Sequence, residues 1–260
     1  MHILHFESNN RRAKPAEYTT EVLVVGASFA GIAAALTAAQ AGQKTLLIER
    51  YIFPGTDLTA PLRPWLSERQ WQQIQGNLAW PLVGTRQEIG SEPEIVFVPD
   101  TLKIGLEDLL LQAGVRLLYL VRPYGWWYDG VHHVEVVGKF EQAVITADTV
   151  IDATDDGILV HCAGQTEPRN CFSRQAWRTI ELTGVQTSLL GDVATADLQL
   201  PADLTSAYRL HAGACGAGHL FLEHAVSLGD TTRPLWRSHA EAAARLTSMA
   251  IAKRLRQQHP

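Results

Sequence analysis

The stretch that decides the fold is EVLVVGASFAGIAAALTAAQAGQKTLLIER, residues 21–50. It begins with a nearly continuous apolar, β-branched run at 21–25, which is typical of a buried parallel strand. A glycine turn follows at 26–31, and an alanine-rich segment at 32–41 predicts a helix that stops at Gly42. Residues 45–48 form a second apolar run. A strand, a glycine turn, a helix and a strand in about 30 residues predict a βαβ unit.

The glycine turn between the first strand and the helix predicts a dinucleotide site. Backbone N–H groups that open a helix point at one place and the helix dipole adds partial positive charge there, so such a turn suits a pyrophosphate. Gly26 permits the sharp turn, and Gly31 lets the helix pack closely on the sheet. Ser28 replaces the middle glycine of the G-x-G-x-x-G pattern, and its hydroxyl can donate to a phosphate oxygen. The alternative is a tight turn that holds no ligand.

An acidic residue ends the second predicted strand. Glu49 follows Gly26 by 23 positions, which is where a carboxylate accepts hydrogen bonds from ribose hydroxyls. We expect the neighbouring Arg50 to stack on an adenine or to pair with a phosphate, with a solvated arginine as the alternative. The strand, the turn, the helix and the acid together indicate dinucleotide binding far more specifically than the glycine pattern alone.

Composition limits the classes of protein that the chain can belong to. Of its 260 residues, 46% are hydrophobic and 19% are charged, which excludes wholesale disorder. The net charge of −5 and the pI near 6.0 exclude a strongly basic surface for nucleic acid. The chain contains no run of eighteen apolar residues, so no membrane span is predicted. The first 18 residues are polar and lack a signal-peptide pattern, so we expect a cytoplasmic protein. Three widely spaced cysteines predict neither a disulfide framework nor a metal site.

Elements beyond the βαβ unit follow from periodicity and turn residues. Residues 51–100 indicate loops and short elements. The later elements are predicted as a helix at 102–113, a strand at 115–121, a hairpin or small meander at 126–145, a strand at 149–154 and an amphipathic helix at 233–256. In the last helix, the apolar side is predicted to carry Trp236, Ala243, Leu246 and Ala250.

Three segments resemble the FAD-dependent oxidoreductase family, in the group whose FAD-binding domain is like that of glutathione reductase. The sequence EVLVVGASFAGIAAALTAAQAGQKTLLIERYIFPGTDLTA at 21–60 is similar to the family's N-terminus. DTVIDATDDGILVHCAG at 148–164 is similar to its later strand and turn, and LKIGLEDLLLQAGVRLLYLV at 102–121 to the helix and strand between them. Three segments in the same order are more specific than one. The resemblance covers 20–164 well and 205–260 only faintly.

The resemblance implies an α/β fold in which a Rossmann-like parallel sheet carries a small antiparallel crossover sheet. It divides the chain into a leader at 1–18, an FAD-binding domain at 19–164 and a partial substrate or interface region at 165–260. It also implies that the backbone near Val121 touches the adenine and that a turn at 153–155 closes over the pyrophosphate, although Asp155 stands where the family has glycine. The expected FAD-site residues are Gly26, Ala27, Ser28, Phe29, Ala30, Gly31, Glu49, Arg50, Gly55, Thr56, Val121, Ala153, Thr154 and Asp155.

The function implied by the resemblance is that of an FAD-dependent oxidoreductase, which moves hydride between the flavin and a small organic substrate. Residues 51–60 hold no cysteine, which excludes a flavin–dithiol mechanism there. The resemblance implies that the family's usual C-terminal return segment is missing, and we expect Gly191-Asp192 to be a plain turn. The alternative is therefore an FAD-binding subunit, inactive alone, whose partner polypeptide supplies that part of the site. A nicotinamide dehydrogenase without flavin leaves the pattern at 148–164 unexplained.

Overall fold

The structure is a computed structural model that describes residues 15–77, 82–88, 93–139, 142–164, 175–185, 208–216, 218–227 and 234–258. The strands are β1 (Ala16–Val25), β2 (Thr45–Glu49), β3 (Trp65–Ser67), β4 (Thr85–Gln87), β5 (Glu94–Val96), β6 (Arg116–Tyr119), β7 (Val121–Tyr128), β8 (His132–Gly138), β9 (Gln142–Asp152), β10 (Gln175–Leu182), β11 (Tyr208–Ala212) and β12 (Leu220–Ser227). The helices are α1 (Phe29–Gln40), α2 (Thr56–Thr59), α3 (Glu68–Asn77), α4 (Pro99–Gln112), α5 (Ile158–Cys162) and α6 (Pro234–Gln258). The Gly191-Asp192 turn lies outside the described residues.

The main sheet has six strands in the order β6-β2-β1-β9-β8-β7. Its first four strands are parallel, as the βαβ pattern predicts, and β7, β8 and β9 form an antiparallel meander. The two parts share β9, because residues 142–147 pair with β8 on one side while residues 143–147 and 149–152 pair with β1 on the other. The predicted crossover sheet is therefore continuous with the parallel sheet.

Both faces of the parallel sheet are buried, which explains the unbroken apolar run of β1. Val22 and Val24 pack in the cluster that includes α1 and α4, whereas Leu23 and Val25 pack with the meander on the opposite face. Leu23 and Val24 are fully inaccessible to solvent. A strand buried on both faces has no polar face, so its sequence does not alternate.

Two predicted boundaries are corrected at the strand ends. The first strand begins at Ala16, inside the stretch predicted as a leader. The strand predicted at 115–121 ends at Tyr119, because Leu120 has a φ of 61°, in the left-handed region that leucine rarely adopts. Val121 then starts β7 at the other edge of the sheet.

The predicted apolar side of the last helix is also corrected. In α6, Leu246 is 69% exposed, whereas Ala244, Ile251 and Leu255 are buried. Ile251 and Leu255 pack with Leu222 of β12, so the position of the β10-β12-β11 sheet decides which side of α6 is covered. None of the described helices is both long enough and apolar enough to cross a membrane. The cytoplasmic location stays a prediction.

A buried ionic cluster joins the β3-β5-β4 sheet to the β10-β12-β11 sheet. The His211 ring contacts Glu94 through Nδ1 at 3.0 Å and Glu223 through Nε2 at 3.2 Å, and it stacks on Trp65. Glu223 has no exposed surface and also pairs with Arg63. Burial alone lowers the pKa of His211, but the hydrogen bonds to Glu223 and Glu94 outweigh it and raise the pKa above the ordinary histidine value.

This raised pKa makes the stability of the junction depend on pH. A histidine whose pKa is higher in the folded state stabilises it fully below the unfolded value of about 6.5, and this stabilisation is lost as the pH rises through the folded pKa. We expect the melting temperature to fall less between about pH 6 and pH 9 in His211→Gln than in the unsubstituted protein. The matched control is His133→Gln, which removes a histidine paired with Asp129 on the meander. An equal fall of the melting temperature with pH in His211→Gln and in the unsubstituted protein would contradict the assignment.

Candidate functional site

A cleft of about 390 Å³ opens at the carboxyl ends of β1, β2 and β9, where α1 begins. In open α/β sheets, ligands bind at this edge. The residues around the cleft are Val25, Gly26, Ser28, Ile48, Glu49, Arg50, Tyr51, Thr56, Asp57, Ala60, Pro61, Val121, Arg122, Pro123, Ala153, Thr154, Asp155, Asp156 and Ile158.

Most of the site residues predicted from the sequence come together at this cleft. Those that line it are Gly26, Ser28, Glu49, Arg50, Thr56, Val121, Ala153, Thr154 and Asp155. The others belong to the same turn and loop without lining the cleft, and they are Ala27, Phe29, Ala30, Gly31 and Gly55. Their contacts with a cofactor stay a prediction.

The two glycines of the first turn are required by the packing of the chain itself. Gly26 has a φ of 96°, and a Cβ added there would lie 2.8 Å from the Ala153 carbonyl oxygen. A Cβ at Gly31 would lie 2.0 Å from the carbonyl oxygen of Gly26. These distances are shorter than any ordinary contact, so a side chain at either position would push α1 or β9 away from the turn.

The hydroxyl of Ser28, which could donate to a phosphate oxygen by the sequence analysis, has a partner within the chain. It donates to the Ala153 carbonyl oxygen at 2.8 Å and accepts from the Gly31 N–H at 3.2 Å. Ser28 is thus the N-cap of α1 and also ties the helix to the end of β9. The contact between Ser28 and Ala153 was not predictable from local sequence patterns, because the two residues are 125 positions apart.

Glu49 lies at the end of β2 with only 4% of its surface exposed. Its Oε2 accepts from the Ala27 N–H at 2.7 Å, and its Oε1 accepts from the Tyr51 N–H at 3.0 Å. An ionised carboxylate has about four acceptor positions, so two backbone hydrogen bonds leave capacity for the hydroxyls of a sugar. The structure thus holds the predicted acid rigidly beneath the glycine turn.

The loop after β2 folds back onto the glycine turn. The N–H of Gly55, where φ is 72°, donates to the Ala27 carbonyl oxygen at 2.7 Å. This contact places Asp57 at the start of α1, where both of its carboxylate oxygens accept from the Phe29 N–H, at 3.1 and 3.2 Å. The sequence analysis did not single out Asp57; the available signal was an acid directly after Gly55 and Thr56.

Both arginines that line the cleft form ion pairs within the chain. Arg50 pairs with Asp155 at 3.0 Å and with Asp156 at 3.3 Å, and Arg122 lies 3.4 Å from Asp156. The sequence predicted that Arg50 would stack on an adenine, pair with a phosphate or be solvated. Its ion pairs with two aspartates instead depend on residues more than a hundred positions away.

The turn after β9 is held by Asp152, which the sequence analysis quoted but did not assign to the site. Its Oδ1 accepts from the N–H and the hydroxyl of Thr154, and its Oδ2 accepts from the Leu159 N–H at 2.9 Å. These bonds fix the turn over the cleft and cap α5. The signal in the sequence is an acid at the end of an apolar strand.

A family model described as FAD dependent oxidoreductase matches residues 21–167, more than half of the chain. The chain belongs to this family. The resemblance seen in the sequence is thus confirmed, together with FAD as the cofactor of the family. The search of curated proteins finds no match.

Three solved structures share the fold. A geranylgeranyl bacteriochlorophyll reductase-like protein from Thermoplasma acidophilum has a TM-score of 0.55 and 18% identity over 86% of this chain and 61% of its own. A flavoprotein/dehydrogenase from Cytophaga hutchinsonii has a TM-score of 0.54 and 16% identity over 91% and 63%. The substrate-free form of the rebeccamycin biosynthetic enzyme has a TM-score of 0.56 and 17% identity over 84% and 48%. The chain spans less than two thirds of each, and the likeness confirms the predicted α/β fold.

The cleft fits the adenosine diphosphate half of FAD by the chemistry of its donors and acceptors. Glu49 offers acceptor positions to a ribose, and α1 opens on the cleft with its positive dipole end. The contact of Asp57 with the Phe29 N–H opposes an anion at that place. In the described part of the chain, no group of three or more histidines, cysteines or acids has metal-binding geometry.

The structural role of Ser28 can be tested by removing its hydroxyl. We expect Ser28→Ala to lower the free energy of unfolding by about 1 kcal/mol, the usual contribution of an N-cap, and to leave FAD affinity nearly unchanged. Denaturant unfolding and FAD titration measure the two quantities. Thr37→Ala is the control, since its hydroxyl bonds the Ala33 carbonyl on the exposed side of the same helix. Unchanged stability with weakened FAD binding would restore the phosphate role.

Proposed function

We propose that the chain binds FAD in this cleft and acts as an oxidoreductase, moving hydride between the flavin and a small organic substrate. The observation that carries the proposal is the Glu49 carboxylate, buried at the end of β2 and bonded to the Ala27 N–H inside the glycine turn. A buried carboxylate beside the opening of a long helix suits a ribose next to a pyrophosphate. Membership of the FAD dependent oxidoreductase family supports the choice of cofactor.

Each part of the cleft has a role in this proposal. Glu49 accepts from the ribose hydroxyls of the adenosine, and the backbone that opens α1 donates to the pyrophosphate. The backbone near Val121, at the start of β7, contacts the adenine. The turn at 153–155, held by Asp152, covers the diphosphate and excludes water from it.

The flavin supplies the redox chemistry when it is bound. The chain's own contribution is to bind, to orient and to keep solvent away from the cleft. Glu49 and the turn at 153–155 hold one end of the cofactor, while Ala60 and Pro61 lie along the same cleft after α2. We assign no acid or base to the proton that accompanies hydride transfer.

The role of Glu49 is tested by a change that keeps its shape and removes its charge. We expect Glu49→Gln to weaken FAD binding by about 1–3 kcal/mol, because the side-chain NH2 group replaces one of the two oxygens that accept from backbone N–H groups and leaves a ribose hydroxyl poorly paired. Glu21→Gln is the matched control, since Glu21 also accepts from a backbone N–H, that of Lys44, away from the cleft. Calorimetric titration with FAD checks the result, and equal affinity in both variants would remove Glu49 from the site.

A second proposal is that the chain is an FAD-binding subunit whose site is completed by another polypeptide. It is favoured by the position of the described residues that line the cleft, which all lie between Val25 and Ile158. The described strands β10–β12 and the helix α6 therefore add nothing to its walls.

Exposure of the bound flavin separates the two proposals. A complete site shields the isoalloxazine ring, so that iodide quenches the fluorescence of the bound flavin much less than that of free FAD, and an added reductant substrate bleaches its visible absorption. An open site gives quenching close to that of free FAD and no bleaching by the same substrates. A chain that takes up no FAD alone contradicts the first proposal, and a chain that takes up none with any added polypeptide contradicts the second as well.

A further inference from the structure

The opening of α1 is partly filled by the chain's own side chains. Of its first three N–H groups, that of Phe29 donates to the Asp57 carboxylate and that of Gly31 donates to the Ser28 hydroxyl. These groups are the donors that a helix opening offers to an anion. A carboxylate at such a place is a chemical equivalent of a phosphate oxygen, since both are anions that accept from backbone N–H groups.

The side chains of Ser28 and Asp57 differ in how easily a ligand could displace them from the start of α1. Ser28 is held by a second hydrogen bond to Ala153, and its displacement would loosen the contact between α1 and β9. Asp57 keeps solvent-exposed surface in the cleft, although its carboxyl group, turned toward α1, is partly desolvated, and it belongs to the single turn of α2. Its side chain can therefore turn away while the backbone of α1 and β9 stays in place.

Charge around Asp57 makes a second anion at the same place unfavourable. The described lining of the cleft includes four acids and two arginines, and these are Glu49, Asp57, Asp155, Asp156, Arg50 and Arg122. Both arginines are already paired with Asp155 or Asp156. Desolvation raises the pKa of the Asp57 carboxyl and the charge of Asp155 raises it further, against backbone hydrogen bonds that lower it.

We propose that Asp57 is a tethered competitor of the cofactor, whose carboxylate occupies the Phe29 N–H in the free protein and must leave before the pyrophosphate of FAD can bind there. This inference rests on the proposed binding of FAD in the cleft. The carboxylate accepts from the Phe29 N–H when no ligand is bound. A ligand must displace it to use that N–H, and only a ligand with a diphosphate offers an anion that can do so. FAD affinity is thereby lower than the cleft would otherwise give.

The test is Asp57→Asn, which keeps the size and the acceptor oxygen but removes the charge. We expect FAD to bind roughly tenfold or more tightly to this variant, the scale of one hydrogen bond to a charged group. Adenosine, which carries no phosphate, should bind both proteins equally. Asp100→Asn is the control, because it removes one exposed carboxylate paired with Lys103 on α4. Calorimetry on the full chain freed of flavin measures every affinity.

Each outcome decides the inference. Tighter FAD binding confined to Asp57→Asn, with adenosine unchanged, supports it. Equal or weaker FAD binding by a folded Asp57→Asn overturns it and leaves the proposed function standing, and so does an equal gain for adenosine, since the effect would then lie away from the pyrophosphate. Asp57→Ser, which also lacks the charge, replaces the asparagine variant if that protein does not fold. Absence of FAD binding in every protein overturns the proposed function and this inference together.

Discussion

The structure depends on one backbone crossing, where the turn after β1 meets the end of β9. Gly26 lies against the carbonyl of Ala153 with no space for a side chain, and the Ala153 N–H donates to Val25 at 2.8 Å. The hydroxyl of Ser28 adds a third link at the same point. Since β1, α1 and β9 all pass through this crossing, it fixes where the helix opens and how closely the later turn approaches it. The cleft is the space that the crossing leaves.

Ion pairs within the chain connect several of the charged side chains of the cleft. Arg50 bridges the end of β2 to the turn after β9 through Asp155 and Asp156, and Arg122 joins the same turn from β7. Exposed ion pairs of this kind contribute little singly, but a network that connects three segments limits their relative movement. The walls of the cleft are therefore held together by the same charges that determine which ligands can enter it.

Local sequence patterns predicted the parts of the fold that depend on neighbouring residues. The unit β1–α1–β2 follows from apolar runs and a glycine turn, and Glu49 follows from its distance along the chain. The partners of Ser28 and Arg50 were not predictable in this way, because they lie more than a hundred positions away. The covered side of α6 depends on the β10-β12-β11 sheet, which the sequence analysis did not assign, and the left-handed Leu120 breaks a strand whose composition predicts continuity.

The long strand β9 has a mechanical consequence. Its first half is paired with β8 and β1 at once, and its second half runs on beside β1 to Asp152, immediately before the turn that covers the cleft. An uninterrupted strand held by neighbours along its length bends little and contains no hinge. A displacement of the meander would therefore be transmitted along β9 to the turn that covers the cleft, and through the Ser28–Ala153 hydrogen bond to the start of α1.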